Sequence, residues 1–205
     1  KAGFFFWAGP EELIGLISYD FSLKKLWKYV NIVRHITKTS VLGKEQKAVN
    51  PEDFMQEALK EAEKAFSMNE VPVGAVIEKD GVIVGRGHNM TETLKDPTAH
   101  AEVLAIREAA GKLGGWRLTG CRMYVTTEPC SMCAGAMVLA RIEKAFIGTR
   151  DPKTGACGSL MNILQDDRLN HYVEIETGIM QQQCEKIMKS FFQKLRKKKS
   201  EEHTI

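Results

Sequence analysis

Two short clusters in this 205-residue chain carry residue types that can do chemistry together: His100-Ala101-Glu102, and Pro129-Cys130-Ser131-Met132-Cys133. One imidazole and two thiolates suit zinc, which prefers nitrogen and sulfur donors, and three protein ligands leave the fourth tetrahedral position to water. Zinc lowers the pKa of such a water to about 7, so a nucleophile becomes available at neutral pH. Glu102, two residues from the imidazole and not needed as a ligand, is placed to carry a proton. Each cluster alone has a plainer reading, since Cys-x-x-Cys is also a redox dithiol and a single histidine at a helix start is more often structural. Their joint occurrence points to a hydrolytic metal site.

The surrounding pattern says which elements must position these groups. Val103, Leu104, Ile106 and Ala110 recur at helical spacing behind Pro97-Thr98, which predicts a helix over 99–112 with His100 and Glu102 in its first turn. Pro129 opens a second helix over 130–141, where a separation of three sets Cys130 and Cys133 on one face. Both clusters therefore fall at helix N-termini, whose positive end favours a thiolate and an anionic intermediate. Short β-branched runs at 71–78 and 82–87 flank Lys79-Asp80-Gly81 and predict a hairpin, with further strands at 122–126, 144–148 and 172–177. An opening helix begins at a capping Asn50 followed by Pro51, with Phe54, Ala58, Ala62 and Ala65 on one face. A short helix is expected between the last two strands, and a final helix runs from about 181 to 199. This order predicts an α/β fold, a three-layer α/β/α arrangement with a mixed central sheet of about five strands.

From about residue 50 to 199 the chain resembles the bacterial tRNA-specific adenosine deaminases (TadA type), within the cytidine deaminase-like superfamily. The resemblance rests on His-x-Glu followed by Pro-Cys-x-x-Cys, the signature of zinc nucleobase deaminases. It rests also on Val73-Gly74-Ala75-Val76, Gly87-His88-Asn89, Asp96-Pro97-Thr98-Ala99, Glu128-Pro129-Cys130, and Cys133-Ala134-Gly135-Ala136-Met137. Gly148-Thr149-Arg150-Asp151-Pro152-Lys153-Thr154-Gly155-Ala156, Asn170-His171 and Phe191-Phe192 separate this family from its relatives. The resemblance implies zinc-dependent hydrolytic deamination of adenosine to inosine at the wobble position of a tRNA anticodon loop. It implies one Zn2+ per subunit on His100, Cys130 and Cys133, with Glu102 moving the protons. Asn89 and the Ala101 backbone are expected to meet the target nucleoside, and Arg150, Asp151 and Lys153 the neighbouring nucleotides. A homodimer is expected from the same resemblance.

Two other readings share the metal motif. A free nucleobase deaminase acting on guanine or cytosine also has both clusters, but has no need of the 150–156 segment or a basic final helix. A non-catalytic zinc-stabilised binding module needs a fourth protein ligand, for which Cys121 or Cys157 would have to serve, and leaves Glu102 without a task.

Overall charge does not argue for RNA, because the chain is +3 as a whole but from residue 50 onward has 21 Lys plus Arg against 22 Asp plus Glu. Positive charge is instead local, in Lys186, Lys189, Lys194, Arg196, Lys197, Lys198 and Lys199. Cys121, Cys157 and Cys184 show no disulfide framework, which predicts a reducing cytoplasm. Residues 1–49 do not resemble the family and form an N-terminal extension ahead of a deaminase domain over 50–205. Phe4-Phe5-Phe6-Trp7 is far shorter than the roughly 18 apolar residues that a membrane span needs. Residues 22–36 read as a basic amphipathic helix able to dock on a surface or a membrane. Glu11, Glu12 and Asp20 speak against a transit peptide. Because the sequence opens on Lys1 and family members begin near Val49-Asn50-Pro51, the extension is expected to be read from upstream of a GUG start, or to be weakly ordered.

Overall fold

Asn50 opens helix α1 (Pro51–Ser67): its side chain accepts from the Glu52 N–H at 3.1 Å, and Pro51 takes the position where a missing N–H costs nothing. The computed structural model describes residues 50–202, so the readings for the N-terminal extension lie outside the described residues. Strands β1 (Gly74–Lys79) and β2 (Val82–His88) form the expected hairpin. Asp80 and Gly81 both have positive φ, 52° and 82°, the two-residue turn whose twist matches paired strands.

The chain continues through α2 (Thr91–Leu94), α3 (Ala101–Leu113), β3 (Arg122–Thr127), α4 (Ser131–Ala140), β4 (Lys144–Thr149), β5 (Glu174–Thr177) and α5 (Gln181–Glu202). The strands form one mixed sheet in the order β2-β1-β3-β4-β5, antiparallel as far as β3 and parallel beyond it. Strand alternation sorts the core into two layers. Val76, Tyr124 and Phe146 point toward α1 and α5, where Tyr124 stacks between Phe54 and Phe146 at 5.0 and 4.5 Å. Ala75, Ile77, Met123, Val125, Ala145 and Ile147 point the other way, into the core shared with Ala101, Ala105 and Ala109 of α3 and Met137 of α4. The result is the three-layer α/β/α fold.

Small residues fix how closely α3 approaches. A side chain at Gly87 would meet the Ala101 carbonyl and the Ala105 nitrogen, so only glycine lets the first turns of α3 lie on β2.

Several boundaries differ from the sequence reading. β1 begins at Gly74 because Pro72 donates no hydrogen bond and the Val73 N–H turns back to the Val71 carbonyl at 2.7 Å. β5 begins at Glu174, and α3 and α4 begin one residue after His100 and Cys130, which makes these two residues N-caps. The short helix expected between β4 and β5 is not found there. The short helix lies between β2 and α3, and residues 150–173 instead form turns with two isolated bridges, Cys130 to Gly155 and Cys157 to Asn162. Donors in the first of these turns are taken by the buried Glu128 carboxylate, an alternative to helical pairing. Among the described residues no helix is long and apolar enough to cross a membrane.

Candidate active site

Helices α3 and α4 start side by side, and the two N-caps bring the sulfur and nitrogen donors together. Neither cap residue spends its side chain on a capping hydrogen bond. His100 Nδ1 lies 3.7 Å from Cys130 Sγ and 3.6 Å from Cys133 Sγ, and all three donor atoms fall within 4.8 Å of one another. An N–S edge of a tetrahedron built on bonds of about 2.0 and 2.3 Å is about 3.5 Å, so the donor spacing fits a zinc-sized cation. The geometry also selects Nδ1 as the imidazole atom that faces the thiols, which no spacing argument distinguishes.

Charge makes the same demand. Hydrogen bonds from Cys133 and His100 bring the Cys130 thiol down to about 4. Its bond to Cys130 and its own burial push Cys133 far upward, because a second anion beside the first has nothing to balance it. A bound cation would supply that balance and would favour the thiolate form of both sulfurs.

Glu102, in the first turn of α3, is 3% exposed, and its Oε2 is a buried oxygen with no hydrogen-bond partner among the described residues. Burial raises its carboxyl above the ordinary carboxylate range. An unpaired buried carboxylate oxygen is costly unless something else meets it there, so it marks a place for water or substrate.

A pocket of about 690 Å³ opens over these groups, lined by His100, Glu102 and Cys130 at its base and by Asn89, Thr127 and residues 149–154 on its sides. Met188, Lys189 and Phe192 of α5 also line it. Asn89 is 7% exposed, and its Oδ1 accepts the Ala101 N–H at 2.9 Å, which directs its amide nitrogen away from α3. Ala101 itself is fully buried and its N–H is committed to Asn89. Arg150, Asp151 and Lys153 share the pocket wall, but Asp151 is a turn former there: it accepts the Lys153 N–H at 2.8 Å and the Thr154 hydroxyl at 2.6 Å.

The sequence reading missed Glu70, Thr127 and Glu128 as groups of the site. Glu70 accepts the Glu92 and Thr93 N–H groups at 3.2 and 2.7 Å and so fixes α2 at the pocket edge. Thr127 Oγ1 is buried without a partner among the described residues. Asn170 and His171 lie elsewhere, bonded to Arg141 and to the Ile142 carbonyl at the end of α4. No fourth donor joins the cluster among the described residues, and Cys157 Sγ faces the Pro129 carbonyl instead. A zinc module closed by four protein ligands is therefore not what this site builds.

Residues 49–196 match the MafB19-like deaminase family. A tRNA-specific adenosine deaminase of Bacillus subtilis is 51% identical over 146 residues, 71% of this chain and 91% of that protein. The tRNA-specific adenosine deaminase of Aquifex aeolicus is 50% identical over 145 residues, 71% of this chain and 95% of its own length. A solved structure from work on A-to-I editing by tRNA:A34 deaminases at the wobble position of transfer RNA is similar with a TM-score of 0.64 and 41% identity. That similarity covers 66% of this chain and 98% of the other. A guanine deaminase from Nitrosomonas europaea shares the fold alone, at 19% identity and a TM-score of 0.62 over 70% of this chain and 85% of its own.

Proposed function

We infer the reaction from one premise: this chain belongs to the MafB19-like deaminase family and, within it, to the tRNA-specific adenosine deaminases. It hydrolyses adenosine to inosine at the wobble position of a tRNA anticodon loop, water entering at C6 and ammonia leaving. The observation that carries this reading is the cluster of one imidazole nitrogen and two sulfurs beside a pocket that His100, Cys130 and Glu102 line, Glu102 bringing an unpaired buried carboxylate oxygen. His100, Cys130 and Cys133 hold one Zn2+ per subunit, which when bound polarises water near neutral pH.

The remaining work belongs to the chain. Glu102 Oε2 takes a proton from the attacking water and gives it to the ring nitrogen next to C6, then takes the second from the new C6 hydroxyl and gives it to the amine, which leaves as ammonia as the C6 carbonyl forms. Burial suits it to this task, because it raises the carboxyl above its ordinary range and so makes it a better proton acceptor than an exposed carboxylate. Asn89 offers its amide nitrogen to the nucleoside, and Ala101 contributes to reading the base by fixing Asn89. Arg150 and Lys153 meet the flanking nucleotides, while Asp151 shapes their turn. A base reaches such a pocket only when extruded from its neighbours, so an unpaired loop is the fitting substrate.

The active form is a homodimer in the cytoplasm. The five free cysteines support a reducing compartment. Leu139 on α4 and Leu160 and Met161 in the turns after β4 are exposed apolar side chains that a second copy would cover. Zinc-loaded protein is to be tested on tRNA carrying adenosine at the wobble position, beside free adenine, guanine and cytosine. Inosine in the tRNA alone is the expected result, and turnover of a free base alone would overturn the reading.

A further inference from the structure

We propose that Glu128 is a positioning residue for RNA capture, holding the 151–159 turn against the metal-binding start of α4 without touching substrate. The proposal rests on the tRNA reading above.

Glu128 stands at the end of β3, two residues before Cys130, and is 4% exposed. Its N–H donates to the Thr149 carbonyl at 2.8 Å, which extends the pairing of β3 with β4. Its carboxylate has no capacity left over. Oε1 accepts the Cys157 and Ser159 N–H groups, both at 3.0 Å, and Oε2 accepts the Asp151 N–H at 3.0 Å and the Ser159 hydroxyl. The turn is fastened to the same short segment a second time, by the Ala156 N–H on the Pro129 carbonyl at 2.8 Å and by the bridge between Cys130 and Gly155. Gly155 comes so near the carboxylate that a side chain there would collide with it.

These contacts have a specific geometric result. The turn carries Asp151, Pro152, Lys153 and Thr154 of the pocket wall, and the Arg150 guanidinium lies against Gly158 within it. One carboxylate therefore sets the distance between the catalytic base of the pocket and its nucleotide-facing wall. Glu128 borders the same pocket, where a free carboxylate would repel a polyanion, but four donors from the turn and its 4% exposure hold this charge away from the opening. The donor atoms His100 Nδ1, Cys130 Sγ and Cys133 Sγ are carried at the starts of α3 and α4, and the contacts of Ala156 with Pro129 and of Gly155 with Cys130 do not involve the Glu128 carboxylate, so altering that carboxylate loosens the far part of the turn first. Ordering the wall before binding removes a cost that the RNA would otherwise meet on arrival.

Glu128→Gln keeps the shape but turns one acceptor oxygen into a donor that opposes the N–H groups; Ser159→Ala removes one of the four donors, the hydroxyl, and keeps the Ser159 N–H. Both are compared with the unaltered full chain, zinc-loaded, on an anticodon stem-loop, with KM, kcat, RNA affinity, metal content and amide hydrogen exchange measured. Glu128→Gln is expected to raise KM and Kd about tenfold or more with kcat changed less than about threefold, full zinc, and faster exchange at the Asp151, Cys157 and Ser159 amides. Ser159→Ala should move KM the same way by less. A fall in kcat at constant KM, or faster exchange with unchanged RNA affinity, would overturn the proposal. Should Glu128→Gln fail to fold, Ser159→Ala decides, with a raised KM supporting and an unchanged KM overturning it. An unaltered chain inactive on the stem-loop would instead count against the tRNA reading itself.

Discussion

Glu102 and Cys130 stand close together, yet their loss should separate chemistry from metal binding. Glu102 is buried with a free oxygen and is not part of the donor cluster, so Glu102→Ala should keep stoichiometric zinc while kcat falls about 10²- to 10⁴-fold. Cys130→Ala should lose both, and zinc analysis beside inosine formation distinguishes the two cases. Glu70 gives a pH prediction of known sign. Burial works against its charge, but hydrogen bonds from Thr93 and Glu92 outweigh that and hold its carboxyl below the usual 4.5. The folded protein therefore binds this proton less readily than the unfolded chain does. Its contribution to stability is present above about pH 4.5 and is lost as pH falls through the lower folded value. Glu70→Gln should flatten the acid limb of stability in urea melts between neutral pH and about pH 3. That His100, Cys130 and Cys133 gather in one cluster was legible in the sequence because zinc chemistry dictates residue types at fixed spacing. Glu70, Thr127 and Glu128 were not, since a buried acceptor is defined by backbone N–H groups that arrive from distant segments.

At the scale of elements, the sequence showed periodicity well and contact between elements poorly. Alternation of Val76 with Ala75 and Ile77, or Tyr124 with Met123 and Val125, is a direct record of a sheet covered on both faces. The turn-rich 150–173 stretch leaves no such record, because its first part is organised around one carboxylate and its second around local side-chain bonds such as Arg168 to Asp166, and neither has a period. Nor did the sequence reveal why α3 needs Gly87 beneath it. Gly87→Ala has no room for its methyl group and must push the start of α3 off β2, carrying His100 and Glu102 with it. The expected cost is about 1–3 kcal/mol of stability from overpacking. Displacing the catalytic groups by about 1 Å should lower kcat by about 10²-fold. Thermal melts and single-turnover rates measure the two effects separately, and a variant that melts like the parent with full activity would refute the argument.

For the molecule as a whole, charge has to be read by position. Lys189 pairs with Glu185 at 2.6 Å, and Lys194 donates to Asn69 at 3.0 Å while covering the Phe66 ring, so part of the basic cluster holds α5 in place. Arg196 and Lys197 extend past that fastening and are exposed. If they meet phosphates, the double variant Arg196→Ala, Lys197→Ala should bind RNA more weakly, most at low salt. The slope of log K against log salt should then flatten by about 0.7 per lost contact, which a salt titration of binding measures. Thiol exposure is just as uneven. Cys121, Cys133, Cys157 and Cys184 are all buried, and Cys130 alone is partly open. If Cys130 binds the metal, the protein would carry its own gauge of loading: a chromogenic aromatic disulfide should find one fast-reacting sulfur in stripped protein, none in loaded protein and five after denaturation, so a colour reaction reports occupancy with no substrate present.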